Sequence, residues 1–218
     1  MTMTSQDALR GLEDDRSSVR LRAAMAVGTE PADRFVGPLV ERCAVEGEFY
    51  VRDMLTWALT RHPVALTLPA LLRELRSERT QARSQALHTL SKIGDGRAWP
   101  AITPALLCDG DEEVARSAWR AAVVLVPEGE ENGLAETLAT QLGRGGQETQ
   151  LSLSRALVGL GEGVLPVVRA AAAGAGPAAR VHALATERLL RDPDTGFAFA
   201  VEEAKRVVAL GGTGREGE

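Results

Sequence analysis

The chain keeps returning to one register. Val51-Arg52-Asp53-Met54-Leu55-Thr56-Trp57-Ala58-Leu59 shows it in full. With Arg52 as position zero, small or apolar residues follow three, six and seven places later. The same layout starts from Arg20, Arg83, Arg116, Gln150 and Arg180, at successive intervals of 32, 31, 33, 34 and 30 residues. A drifting period of this size marks stacked supersecondary units, each too small to bury its own apolar side alone. Offsets of three, six and seven share one side of an α-helix, whereas a strand would alternate. Column three holds Ala23, Leu55, Ala86, Trp119, Leu153 and Ala183. Column six holds Ala26, Ala58, Thr89, Ala122, Ala156 and Thr186, small side chains that let neighbouring helices approach closely.

Between these helices lie further apolar stripes, each closed by a polar turn. Leu9 and Leu12 precede Asp14-Asp15; Phe35, Leu39 and Cys43 precede Glu46-Gly47-Glu48; Leu68, Leu71 and Leu75 precede Ser77-Glu78-Arg79. Trp99, Ile102 and Leu106 precede Asp109-Gly110-Asp111, and Leu134, Leu138 and Leu142 precede Arg144-Gly145-Gly146. Thr4 or Ser5 is placed to cap the first helix, while Gly28 and Gly94 are placed to end two of the second helices. Beyond Asp192-Pro193-Asp194, one more stripe (Phe197, Val201, Ala204, Val208) carries a polar opposite face, as the end of a stack requires. The expectation is an all-α, right-handed α-solenoid of about six helix pairs with a C-terminal capping helix. It forms a single domain over residues 1–210, followed by a disordered tail over residues 211–218.

Composition narrows the function classes. The net charge of -5 argues against a dedicated nucleic-acid binder, which carries a basic stripe. No segment reaches the length of a membrane span, and the N-terminus lacks a basic-then-apolar leader, so a cytoplasmic protein is expected. Cys43 and Cys108 fall a whole unit apart, too far for an intramolecular disulfide given helix spacings of roughly 8–10 Å. Both are expected to be small buried thiols in a reducing compartment. His62, His88 and His182 have no metal-ligand spacing, and no glycine-rich phosphate loop follows a strand, so no cofactor is expected.

The cassette Val19-Arg20-Leu21-Arg22-Ala23-Ala24-Met25-Ala26-Val27-Gly28, with its echoes, resembles the HEAT repeat. Its short period is similar to the HEAT-like units of phycobilin-lyase proteins and of many bacterial scaffolds. The resemblance covers about residues 5–192; the tetratricopeptide and ankyrin signatures are missing. The stretch Arg42–Arg61, with Gln81–Ile93, is similar to HEAT proteins of high-GC Gram-positive bacteria, some tied to transcription regulators. The resemblance implies that the second helix of each pair lines a concave groove through positions one, two, five and nine. It also implies that the column-zero arginine pairs with an acid at the inter-helix turn, here Asp14 or Asp15, Glu46 or Glu48, Glu78, and Asp109 or Asp111. A partly buried guanidinium wants such a fork, so the column reads as structural rather than as a phosphate ladder.

Column five differs: Met25, Trp57, His88, Ala121, Arg155 and Ala185 are too mixed for a core column. Trp57 is either an anchor for a partner or a filler beneath a neighbouring repeat. Asp53, Trp57 and Arg61 share one helical face, and Ser84, His88 and Lys92 share another. A solvated face is the plainer account of His88 and Lys92 taken alone. The reading reached is a non-catalytic scaffold or adaptor that holds a partner protein or peptide in the groove. Trp57 serves as anchor, and Asp53, Arg61, His88, Lys92 and Arg155 set orientation. Two other classes remain open. Some HEAT-like proteins are alkylpurine DNA glycosylases that use groove Trp and Asp residues, a pairing that Asp53 and Trp57 resemble. The repeat type alone supports a tetrapyrrole handler similar to the phycobilin lyases.

Overall fold

The computed structural model describes residues 4–212, and all regular structure among them is helical, with no strand. The α-helices are α1 (Ser5–Leu12), α2 (Ser17–Thr29), α3 (Val36–Cys43), α4 (Phe49–Thr60), α5 (Val64–Glu74), α6 (Thr80–Ile93) and α7 (Pro104–Leu107). They continue as α8 (Glu112–Leu125), α9 (Glu131–Ala139), α10 (Gln147–Gly159), α11 (Leu165–Gly174), α12 (Pro177–Arg191) and α13 (Phe197–Gly212). Gly211 and Gly212 thus belong to the last helix. The rest of the expected tail, residues 213–218, lies outside the described residues.

The chain forms two compact units, Met1–Thr103 with Glu113–Leu125, and Pro104–Glu112 with Val126–Glu218. In the first, α1, α3 and α5 pack side by side as one layer and α2, α4 and α6 as a second. Each first-layer helix also packs on the helix that follows it. In the second, α7, α9 and α11 line up, α10 packs on α12, and α13 covers α12. The repeating columns explain this layering. Every column-three residue is buried, from Ala23 to Ala183, and leucines such as Leu55, Leu59, Leu87, Leu153 and Leu157 are almost wholly enclosed. Burying one such leucine contributes roughly 1.5–3 kcal/mol.

Local signals set the helix ends. Thr4 caps α1 through its hydroxyl, which accepts a bond from the Asp7 N–H at 3.2 Å. Gly94 ends α6 in the left-handed region, φ +68°, with its N–H donating to the Leu90 carbonyl at 2.9 Å. Two expectations need correction. Gly28 does not end α2, which runs on through Thr29; Gly28 is buried, and the absent side chain makes room for Trp57 of the next second-layer helix. Cys108 is exposed, while Cys43 is buried as expected. The helix before Cys108 is a single α-turn after a 3-10 segment at Gly96–Ala101, so residue 108 falls past the buried Leu106 and Leu107.

Three arginines of the column, Arg20, Arg52 and Arg83, bind backbone carbonyls of the turn before them, while Arg116 bonds the Glu113 carboxylate and Arg180 is exposed. Nη1 of Arg20 donates to the carbonyls of Asp14 and Asp15, both at 2.8 Å. Nη1 of Arg52 donates to Glu46 and Gly47 at 2.9 and 2.7 Å, and Nη1 of Arg83 to Ser77 and Glu78 at 2.9 and 3.2 Å. Gln150, standing in the same column, reaches the Gly145 carbonyl at 3.2 Å. These carbonyls belong to the turns between paired helices, outside either helical ladder, and a long cation one turn into the next helix supplies their donor. The turn acid expected to serve Arg20 is otherwise engaged: the Asp14 carboxylate holds Arg16 at 3.0 and 3.1 Å.

Arg20 adds a buried carboxylate to its backbone partners. Glu46 is fully buried and accepts from Arg20 Nε at 2.6 Å, Arg20 Nη2 at 2.8 Å, Arg42 Nε at 2.9 Å and the Glu48 N–H at 2.9 Å. Burial pushes its carboxyl up. The bonds from Arg20, Glu48 and Arg42 outweigh that and hold it down at about 2. Glu46 thereby ties the turn after α3 to α2 in the preceding pair.

Candidate functional site

The site residues expected in the first unit lie on the second-layer helices. Asp53 and Trp57 on α4 and Arg61 just past its end are all exposed, at four-residue spacing. Phe49 and Tyr50 open α4 at 65% and 76% exposure, their rings edge-to-face with centroids 5.6 Å apart. Their apolar bulk at the start of a helix buries nothing in the core.

Asp53 and Phe49 line a polar cavity of about 180 Å³ with Arg52, Ser84, Gln85, His88, Glu113, Ser117 and Arg120. Ser84 and Ser117 form its buried floor, their hydroxyls 3.1 Å apart. Positions one and two of the repeat helix supply Asp53, Ser84, Ser117 and Gln85, and position five supplies His88. Burial depresses the affinity of His88 for a proton; the positive charges of Arg120 and Lys92 add to that effect, and Asp53 opposes it. His88 therefore stands neutral at pH 7 between an acidic neighbour on α4 and basic ones on α6 and α8. Among the described residues, the side chains of Asp53, Arg61, Lys92 and Arg120 take part in no hydrogen bond or ion pair. Arg120 was not singled out in the sequence, because it occupies position four, beside the column-five Ala121. A mixed column whose alanine has a charged neighbour was the available signal.

Trp57 does not line this cavity. Its ring is 40% exposed and its inner edge lies on Gly28 of α2. A Cβ at position 28 would come within 2.3 Å of its Cζ3. Of the two roles left open for Trp57, its inner edge serves as a filler against the neighbouring repeat, because the glycine opposite leaves a space that alanine would not fill. Met25, one repeat earlier in the same column, is also exposed, whereas Ala121 and Ala185 are fully buried.

Arg155 lies in the second unit, exposed at the rim of an apolar cavity of about 300 Å³ walled by Leu151, Val158, Leu189 and Phe197. The same unit carries a buried polar network absent from the sequence reading. His182 Nδ1 accepts from the Gly143 N–H at 3.0 Å, and its Nε2 lies 2.9 Å from the Gln150 carbonyl and 3.0 Å from the Ser154 hydroxyl. Ser154 in turn lies 2.8 Å from the Thr186 hydroxyl. With an N–H facing Nδ1, the ring proton sits on Nε2. Burial then pushes His182 down to about 4. This cluster joins α10 to α12 inside the core, where His182, Ser154 and Thr186 are all fully buried.

No helix among the described residues is by itself long and apolar enough to cross a membrane, and no group of three His, Cys, Asp or Glu is placed to hold a metal. No family model matches the sequence. No curated protein matches it. Among solved structures, the crystal structure of an engineered protein from the Northeast Structural Genomics Consortium is similar at 20% identity, over 94% of this chain and 96% of that one, with a TM-score of 0.49.

Proposed function

We propose that this chain is a non-catalytic interaction scaffold. It would be a right-handed solenoid of about six HEAT-like helix pairs capped by α13, and its second-layer helices hold a partner protein or peptide. The observation that carries the reading is the exposed apolar group Met25, Phe49, Tyr50 and Trp57 on α2 and α4, next to a polar cavity with unpaired charges. Large apolar side chains gathered on one face, rimmed by polar groups, are what a protein contact uses.

The test is site-specific photo-crosslinking in the native host. A benzoylphenylalanine at position 50 is expected to capture a discrete partner band. The same group at Leu66, exposed on the first-layer helix α5, is expected to capture none. Capture from position 66 and not from position 50 would overturn the assignment of the face.

A further inference from the structure

The cavity on α4, α6 and α8 holds two charges of opposite sign that do not meet. Asp53 comes from α4 and Arg120 from α8, both exposed, with the His88 ring on α6 beside both. Neither side chain has a hydrogen-bonding or ionic partner among the described residues, whereas the other charged lining residues are engaged. Arg52 clamps the turn carbonyls, and Glu113 accepts from Arg116 at 3.1 Å. Two opposite charges facing one cavity without pairing suit a ligand that carries both signs at a similar separation.

The surroundings of each charge sharpen this. Asp53 lies one helical turn from the exposed Phe49 and Tyr50 rings on the same helix. A carboxylate beside two aromatic rings suits a basic side chain, which gains from both the charge and the ring faces. Arg120 faces the cavity from the other side, where Lys92 adds a second positive charge near His88 and the Gln85 amide is a neutral donor. That side suits a carboxylate. At about 180 Å³ the cavity is smaller than the roughly 300–1,000 Å³ of small-molecule sites, and it admits one or two side chains.

We propose that this face selects a peptide segment carrying a basic and an acidic side chain close together, the basic one toward Asp53, Phe49 and Tyr50, the acidic one toward Arg120. The proposal rests on the scaffold reading and adds the chemistry of its partner. A nucleic-acid backbone would meet Asp53 as a repelling charge, and an acidic peptide alone would leave Asp53 and the rings unused.

The test uses the full chain and fluorescein-labelled helical peptides on one leucine–alanine host, read by anisotropy at low and moderate salt. The peptides carry Lys then Glu four residues on, Glu then Lys, Lys alone, or Glu alone. One of the paired orders is expected to bind at least tenfold more tightly than either single-charge peptide. The double variant Asp53→Arg/Arg120→Glu is expected to prefer the opposite order, and Tyr50→Ala to weaken the Lys-bearing peptides while leaving Glu alone unchanged. Circular dichroism and a melt establish that each variant is folded. Equal binding of the Glu-only peptide, an unchanged order preference in the double variant, or binding by none of the four would overturn the proposal. So would self-association of the chain that Asp53→Arg abolishes, since the occupant would then be a second copy. If the peptides fail while crosslinking from position 50 persists, the charge selection falls and the scaffold reading stands. If both fail, the scaffold reading falls with it.

Discussion

Trp57 lies across Gly28, so that a methyl group on the glycine would come within 2.3 and 2.7 Å of the indole Cζ3 and Cε3 and 2.9 Å of the Ala58 Cα. The two residues belong to successive second-layer helices, α2 and α4. Gly28→Ala would ordinarily raise helix stability by about 1 kcal/mol through propensity. Here overpacking dominates, and a net loss of roughly 1–2 kcal/mol is expected. Adding Trp57→Ala should recover only part of it, because the Ala58 backbone contact remains. Urea midpoints of the two single variants and the double variant check this; an unchanged or raised midpoint for Gly28→Ala would mean that the helices do not approach this closely.

Glu46 should dominate the acid sensitivity of the first unit. Glu46→Gln leaves Arg20 buried without its fork, at a cost of about 3–5 kcal/mol near pH 7. The sign follows from the depressed carboxyl: its ordinary value is 4.5 and it is held at about 2. Its contribution is therefore complete above pH 4.5 and is lost as the pH falls toward 2. Denaturation midpoints of the native chain and the variant should converge over that window. A constant gap from pH 6 to pH 2 would show that Glu46 is not ionised in the fold.

His182 acts in an adjacent window. Its ordinary value of 6.5 is lowered to about 4, so the unfolded chain takes up a proton that the folded one refuses. Stability is unaffected above pH 6.5, declines by roughly 3 kcal/mol as the pH falls to about 4, and is level below that as far as this group is concerned. His182→Asn keeps an acceptor for the Gly143 N–H and does not titrate. It should remove this decline and leave the Glu46 window in place, as urea titrations at half-unit pH steps would show.

How far the sequence carried these conclusions depends on how far apart the interacting residues lie. The helices, their buried columns and the Gly94 stop were legible, because each depends on residues within one or two turns. The Thr4 cap was legible for the same reason. Gly28 was misread as a stop because its partner, Trp57, lies one repeat away and only the packing of α2 on α4 joins them. Cys108 was misplaced because the helix before it tightens to a 3-10 segment and a single α-turn. The column arginines were assigned to turn carboxylates, and Arg20 does reach Glu46, but Nη1 of Arg20, Arg52 and Arg83 meets the turn carbonyls five and six residues before it, which that reading did not include. Of the expected site, Asp53 and His88 do share a cavity. Arg120 was missed, since it reaches that cavity from position four of its own repeat.

Arg83 and Arg61 give a direct test of the column. Arg83 is half-buried and donates to the Ser77 and Glu78 carbonyls, whereas Arg61 is exposed and its side chain has no partner among the described residues. Arg83→Ala should cost about 1–3 kcal/mol, for charge-assisted bonds to the turn carbonyls. Arg61→Ala should cost roughly 0–0.5 kcal/mol, the range of ordinary surface substitutions. Denaturant midpoints in the reverse order would mean that the turn clamp contributes nothing.

Tyr50 and Trp57 should separate binding from folding. Tyr50 is 76% exposed, and its ring contact is with Phe49, itself mostly in solvent. Tyr50→Ala should therefore leave the melting temperature unchanged while reducing partner capture. Trp57 has two tasks, because its inner edge covers Gly28 and its outer edge meets solvent. Trp57→Ala should weaken capture and also cost roughly 1–2 kcal/mol of stability, below the ~3–5 kcal/mol of a fully buried aromatic. Trp57→Phe keeps part of the cover and should restore part of that stability. Acrylamide quenching provides the independent measurement. Trp119 is wholly enclosed and Trp99 only partly exposed, so the most accessible fluorescence should vanish in the Trp57 variants and persist in Tyr50→Ala. If Trp57→Ala leaves the accessible fraction unchanged, the ring is sealed in the core, and the contact surface must then be carried by Phe49 and Tyr50 alone.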